Sequence, residues 1–286
     1  MLNRKNGFTL IELSIVLVII GLVIGGVLVG RDMIRNAELQ QVASSFLKFR
    51  DAVKQFKDKY KYLPGDMPTA TDFWGTGVCT SDPSDTPLTV TCNGNGNGKI
   101  AEASDLLGLL DIAEAMDIEE ALYVWQHLTN SKFLEGAYTG RYSAGTNRWK
   151  SGVNIPKGMD NAGFAFYFSE NLPSPLAYSF HDASYGGVII GTTPVVNSGH
   201  IISFGKATVN YNGNDFAPVG GVLSGAEAFA IDTKIDDGKP ATGNIITPSV
   251  IEGGSAAYCS SGHVSASTYI VNKDNRYCFL LFVTGL

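Results

Sequence analysis

One apolar run near the amino terminus constrains this chain more than any other feature. From Phe8 to Gly30 the run covers 23 residues and contains one charged side chain, Glu12. At about 1.5 Å of rise per residue, such a helix is long enough to cross the hydrocarbon core of a membrane. A carboxylate near the bilayer centre costs roughly 2.5–3.5 kcal/mol, so Glu12 requires a partner or a function.

A cleaved signal peptide and a plain membrane anchor are the two simplest explanations of the run. Signal-peptide cores span about 7–15 residues and end in a small-residue cleavage site. This run is longer and lacks an Ala-x-Ala sequence. A plain anchor accounts for the length and for a basic cytoplasmic flank at Arg4 and Lys5. It leaves Glu12 and the Gly7-Phe8 junction unexplained.

Residues 5–13 read Lys-Asn-Gly-Phe-Thr-Leu-Ile-Glu-Leu, which resembles the class III leader junction of type IV pilins and type II secretion pseudopilins. The resemblance implies that a prepilin peptidase cuts after Gly7 and N-methylates the new amino terminus at Phe8. It also implies that Glu12 pairs with the Phe8 amine of a neighbouring subunit. A buried carboxylate and a buried amine each need such a partner.

The resemblance also implies where the protein works and with what. The protein would lie in the inner membrane of a Gram-negative-type bacterium and be joined by an assembly platform to itself and to other pilins as a helical polymer. The product would be a cell-surface pilus or, alternatively, the periplasmic pseudopilus of type II secretion. A membrane-tethered adhesin or DNA-uptake minor pilin is a second alternative.

Past Arg31 the sequence becomes amphipathic. Apolar residues recur at spacings of 4-3-4-3-4, typical of a helix with one buried face: Val42, Phe46, Phe49, Val53, Phe56 and Tyr60. Pro64-Gly65 is a turn signal that ends the helix. We therefore expect an α+β fold in four parts: a leader (1–7), a transmembrane or filament-core helix (8–30), the amphipathic half of the same helix (31–62), and a globular head (63–286).

The head is predicted to combine helices with an antiparallel β-sheet. We expect one helix from Ile100 to about Leu134 and a short one from Ala226 into the turn at Asp236. Short apolar runs between Gly, Asn, Pro and Ser predict strands, and they lie at 164–168, 188–190, 200–204, 208–211 and 279–283.

Charge and motifs narrow the function of the head. Residues 61–286 carry 22 Asp and Glu against 12 Lys and Arg, which argues against nucleic-acid binding by a general basic face. The Gly-x-Ser-x-Gly, His-Glu-x-x-His and P-loop patterns are absent from the sequence, so we expect no enzymatic activity.

The four cysteines indicate an oxidising compartment. They are Cys79, Cys92, Cys259 and Cys278. Their spacing does not fit a zinc site, whereas an even number behind a membrane anchor fits two disulfides. Of the three possible pairings, proximity along the chain favours Cys79–Cys92 and Cys259–Cys278.

Two segments follow patterns that bind calcium, and no other cofactor is expected. In the first, oxygen side chains at positions 1, 3 and 5 precede a glycine at position 6, as in a calcium loop. The ligands would be Asn93, Asn95, Asn97 and the Lys99 carbonyl; position 12 is Ser104 rather than a glutamate, and Glu102 or Asp105 could substitute for it. Three neutral Asn would give only weak, about millimolar, affinity. A flexible Asn/Gly turn explains the same residues.

The second candidate calcium cluster consists of Asp232, Asp236 and Asp237. An Asp-Asp-Gly turn that caps itself is the alternative explanation of this cluster.

Overall fold

The computed structural model describes residues 9–77, 90–101, 118–141, 149–169, 178–182, 187–192, 199–209, 215–247, 249–252, 256–257, 259–262, 265–272 and 275–286. The chain divides into two compact units, Met1–Gln41 and Val42–Leu286. Helix α1 spans Leu10–Tyr60 without interruption, which confirms the long N-terminal helix predicted from the sequence.

Helices and strands both contribute to the head. The further helices are α2 (Ala70–Trp74), α3 (Ile118–Asn130) and α4 (Gly225–Ile235), with a 3₁₀ turn at Met159–Asn161. The strands are β1 (Gly163–Ser169), β2 (Tyr178–Asp182), β3 (Gly187–Thr192), β4 (Gly199–Val209), β5 (Asp215–Gly220), β6 (Ile245–Ile246), β7 (Ser249–Glu252), β8 (Ala256–Ala257) and β9 (Leu280–Val283).

The strands form two antiparallel sheets. The first has the order β1-β4-β9-β6, with β5 also paired to β4, and the second has the order β2-β3-β7-β8. In the first sheet Phe164 lies opposite Phe204, and Ile202 lies opposite Phe282. The long helix followed by a head of helices and antiparallel sheet confirms the α+β, pilin-like fold class.

The second half of α1 packs into the head through the predicted apolar stripe. Five of its six members are buried, and Tyr60 at its end is half-buried. Phe46 stacks on Phe282 of β9 at 4.2 Å between ring centroids. Phe49 meets Trp125 of α3 and Phe164 of β1, each at 5.0 Å. Burial of such aromatic rings contributes much of the core's stability.

The boundaries of the predicted helices need one correction. The helix expected from Ile100 does not begin there, because Ile100 lies in a bend and Ala101 has a φ of 48°. Helix α3 runs from Ile118 to Asn130, whereas residues 102–117 lie outside the described part of the chain. Residues 93–101 therefore form a loop instead of the start of the predicted helix.

Candidate functional site

The first turn of α1 is closed by Thr9 and Glu12. The Thr9 backbone N–H and hydroxyl both donate to Glu12 Oε2, at 2.8 and 2.7 Å. In return, the Glu12 N–H donates to Thr9 Oγ1 at 3.3 Å. This reciprocal arrangement is a capping box. The sequence signal, Thr-x-x-Glu at the start of an apolar run, was present but not used in the sequence analysis.

The first part of α1 exposes an apolar surface. Among the described residues, α1 is the one helix long and apolar enough to cross a membrane; its best 18-residue window has a mean hydropathy of 2.9 and no buried residue. The helix is continuous through Gly21, Gly25, Gly26 and Gly30. Such a surface requires lipid or other apolar helices around it. The predicted processing residues Gly7 and Phe8 lie outside the described residues.

A tight turn after α1 brings Asp66 into contact with the loop of residues 93–99. The side chain of Asp66 is 1% exposed, and its Oδ2 accepts the Gly98 N–H at 3.0 Å. Its Oδ1 is buried and has no hydrogen-bond partner. Burial raises the pKa of Asp66, and the backbone N–H groups of Gly98, Gly96 and Asn97 act in the opposite direction. The sequence pattern of the loop gives no signal for this contact with Asp66.

Two glycines make the close approach possible. A Cβ on Gly94 would overlap the Gly65 carbonyl oxygen and the Asp66 backbone. Gly65 has a φ of 94°, and a Cβ there would lie 2.5 Å from the Glu120 carbonyl oxygen. Side chains at either position would separate the turn, the loop and α3. The glycines therefore hold three segments distant in sequence at one point.

The predicted calcium residues of the loop have definite partners. Asn93 Oδ1 accepts the Thr71 N–H at 2.9 Å. Asn95 Oδ1 accepts the Asn97 N–H, and Asn97 Oδ1 accepts the Lys99 N–H, each at 2.8 Å. These are Asx turns. Asp105 lies outside the described residues.

Glu120 on α3 holds the same segment at Asn95 and at Ala101. Its side chain is 4% exposed. Oε1 accepts the Asn95 N–H at 2.8 Å, and Oε2 accepts the Ala101 N–H at 3.3 Å. Two buried carboxylates, Asp66 and Glu120, therefore hold the loop through its backbone.

His127 joins this loop to the turn. It is fully buried; Gly65 N–H donates to Nδ1 at 2.9 Å, and Nε2–H donates to the Cys92 carbonyl oxygen at 3.2 Å. Burial lowers the pKa of His127 to about 4, with the hydrogen bond to Cys92 acting in the opposite direction. His127 is therefore a packing residue of the core that also links the turn to the loop.

The second candidate cluster is held by hydrogen bonds. One oxygen of each carboxylate, from Asp232, Asp236 and Asp237, lies within 4.8 Å of the others. Asp237 Oδ1 accepts the Lys239 N–H at 2.9 Å, and Asp236 Oδ2 accepts the Ile245 N–H at 2.9 Å. These bonds close the acidic turn on itself and account for its geometry, so calcium here stays a prediction.

Asp232 is buried in a polar network. Its Oδ1 accepts the Gly238 N–H at 3.1 Å, and its Oδ2 accepts the Tyr269 hydroxyl hydrogen at 2.7 Å. The Tyr269 hydroxyl also contacts Thr247 Oγ1 at 2.9 Å. Burial raises the pKa of Asp232 to about 7, against the lowering effect of Tyr269 and Gly238.

Disulfides close two segments of the head. Cys259 and Cys278 are joined across 19 residues of sequence, and both are buried. Cys92 is also disulfide-bonded. Its predicted partner, Cys79, lies outside the described residues.

The comparisons with known proteins match one part of the chain. Residues 2–28 match the family model described as the prokaryotic N-terminal methylation motif. This motif is the class III prepilin-type leader of type IV pilins and pseudopilins. Neither the curated proteins nor the solved structures give a match.

Proposed function

We propose that this chain, a type IV pilin-like or pseudopilin protein by its N-terminal methylation motif, is a structural subunit of a type IV pilus-like filament. The motif is the observation that carries the proposal. The exposed apolar surface of α1 supports it, because that surface needs a membrane before assembly and neighbouring helices afterwards.

Delivery follows from the first eight residues. Arg4 and Lys5 keep the leader on the cytoplasmic side. Prepilin peptidase cuts after Gly7 and methylates the Phe8 amine. The apolar surface that begins at Leu10 anchors the subunit in the inner membrane until it enters the filament.

Assembly depends on Glu12. Thr9 donates to Glu12 Oε2, and among the described residues Oε1 receives no hydrogen bond. Oε1 can therefore accept the Phe8 amine of a neighbouring subunit while the capping box stays closed. Pairing the two charges away from water offsets the cost of burying either one alone.

The test is the Glu12→Ala variant, with Glu38→Ala as the matched control. Both substitutions remove a glutamate from α1, but Glu38 pairs with Arg35 of its own chain at 3.4 Å. We expect both variants to be cleaved, with intact masses that begin at methylated Phe8. Glu12→Ala should lose at least tenfold of its incorporation into sheared filaments, whereas Glu38→Ala should assemble. Normal filaments from Glu12→Ala would overturn the mechanism.

Electron microscopy of sheared surface fractions, with labelling of this chain, separates the three versions of the function. Long fibres labelled along their length support a surface pilus. Absence of surface fibres, with loss of protein secretion when the chain is deleted, supports the pseudopilus. Label restricted to fibre tips supports an adhesin or DNA-uptake minor pilin.

A further inference from the structure

We propose that Asp66 and the loop of residues 93–99, which we call the Asn/Gly loop, form a calcium site whose charged ligand is Asp66 Oδ1. The loop alone offers only neutral oxygens, and the turn after α1 supplies the carboxylate. The site goes beyond the filament function and does not depend on it.

The burial of the Asp66 carboxylate is the first reason to propose a calcium site here. A buried ionised carboxylate is costly unless both oxygens are compensated. Oδ2 has the Gly98 N–H at 3.0 Å, but Oδ1 is buried and unpartnered. A metal ion at Oδ1 would supply the missing charge.

The surrounding ligands are the second reason. Calcium takes carboxylate, amide and carbonyl oxygens. Asn95 and Asn97 each use their Oδ1 for one backbone N–H, and an amide oxygen has a second lone pair for a cation. The Lys99 carbonyl occupies the position at which calcium loops contribute a backbone oxygen.

The structure adds one ligand to those predicted from the sequence. Asn93, in the first position of the pattern, directs its oxygen to the Thr71 N–H. Asp66 instead meets Gly98, the glycine in the sixth position, through Oδ2. Asp66 therefore supplies the charged ligand that the loop itself lacks, and Glu120 acts as a positioning residue through the Asn95 and Ala101 N–H groups.

Access and affinity follow from the same geometry. Oδ1 has almost no exposed surface, so entry of the ion requires a small displacement of the loop, whose Asn95 and Asn97 are exposed. One carboxylate among neutral oxygens corresponds to a weak extracellular site, with Kd of about 10⁻⁴–10⁻³ M. Magnesium should bind less well, because it demands stricter geometry and retains its waters.

The experiment measures the thermal unfolding of the full chain in detergent, in EDTA, in calcium and in magnesium. Calcium at ten times Kd raises the ratio of folded to unfolded protein about elevenfold, a Tm shift of about 3–6 °C. We expect this shift in the wild type and in Asp237→Asn, the control from the second acidic cluster. Asp66→Asn should lose it. In EDTA, Asp66→Asn should melt no lower than the wild type, because it removes an uncompensated buried charge.

A second measurement tests the ligands without altering a buried group. Calorimetric titration with calcium should give one site per chain, and Asn95→Ala and Asn97→Ala should each weaken binding at least threefold. In EDTA each variant loses one Asx-turn hydrogen bond and should melt slightly below the wild type. No calcium shift in the wild type would mean that Asp66 is simply a buried, protonated carboxyl group. A shift that survives Asp66→Asn, or that Asp237→Asn removes, would equally overturn the site.

Discussion

The backbone N–H of Gly65 donates to Nδ1 of His127 at 2.9 Å, and this contact fixes the protonation state of the ring. With Nδ1 as an acceptor, the proton must lie on Nε2, which donates to the Cys92 carbonyl oxygen. A second proton on Nδ1 would face the Gly65 N–H directly and break the bond. The neutral ring therefore joins the turn before Asp66 to the start of the Asn/Gly loop.

The first prediction is a loss of stability in acid that depends on His127. The pKa is lowered to about 4 in the folded chain, against about 6.5 in the unfolded one. The unfolded state therefore binds a proton first, and stability falls as the pH drops from about 6.5 to 4. Protonation of His127 in the unfolded chain across this window lowers the free energy of unfolding by up to about 3 kcal/mol.

The measurement is the free energy of unfolding by urea between pH 4 and 7.5. His127→Gln should be less stable than the wild type at pH 7 but show a shallower loss in acid. His200 is the comparison, since burial lowers its pKa to about 4 as well. His200→Gln should also make the loss of unfolding free energy in acid shallower, by a similar amount and independently of His127. An unchanged slope in His127→Gln would contradict the prediction.

The second prediction concerns Gly94, which lets the loop touch Asp66. Gly94→Ala places a methyl group against the backbone of Gly65 and Asp66 and should cost about 3 kcal/mol. Gly98→Ala is the matched control, because its Cβ meets nothing within 4 Å. Gly98 has a φ of 82°, and an alanine in this left-handed conformation should lose only about 1–2 kcal/mol of stability. Denaturant unfolding of both variants gives the comparison, and equal costs would exclude the close contact.

The sequence was sufficient for the elements that repeat a simple pattern. Phe46, Phe49 and Phe56 recur at helical spacing, and they are buried because that spacing places them on one face. Strand β9 lies within the apolar run of residues 279–283. These patterns are local, so they can be recognised without knowing the partner segment.

The candidate calcium site could be predicted only in part, because some of its residues are remote in sequence. The Asn/Gly loop is a local pattern and was recognised. Asp66 lies 27 residues before Asn93, and nothing in its neighbourhood indicates that its carboxylate reaches Gly98. Glu120 is equally remote in sequence. Such contacts depend on how the turn, loop and α3 pack, which spacing does not encode.

The third prediction concerns Asp232, whose effect on stability has the opposite sign to that of His127. Its pKa is raised to about 7 in the folded chain, against about 3.9 when unfolded. The folded state holds the proton longer, so this group's contribution is full below pH 4 and is lost as the pH rises towards 7. Over that range the loss is roughly 3 kcal/mol.

Asp232→Asn should remove this dependence of stability on pH, because the amide does not titrate. Its free energy of unfolding should therefore rise relative to the wild type as the pH increases from 4 to 7. Asp237→Asn is the comparison: its exposed carboxylate makes only a small contribution to the raised pKa of Asp232, so this variant should keep most of the pH dependence. A constant difference between Asp232→Asn and the wild type at all pH values would contradict the prediction.

The fourth prediction concerns the disulfide between Cys259 and Cys278. The strand pairing of Cys278 with Leu223 is independent of it, through N–H···O bonds of 2.9 and 3.0 Å in the two directions. The double variant Cys259→Ala, Cys278→Ala should therefore keep one cooperative transition. Closing a loop across 19 residues contributes about 3 kcal/mol through the unfolded chain, and the variant should lose about that amount.

Urea unfolding with and without reductant measures this loss of stability. It also distinguishes the contribution of the disulfide at Cys92 from that of Cys259–Cys278. Reductant should destabilise the wild type by more than the double substitution does, because it also opens the bond at Cys92. In the double variant, reductant should still lower the free energy of unfolding through Cys92 alone. If the double variant instead unfolds in two separate transitions, the Leu223–Cys278 pairing does not hold the C-terminal segment and the disulfide is its main attachment.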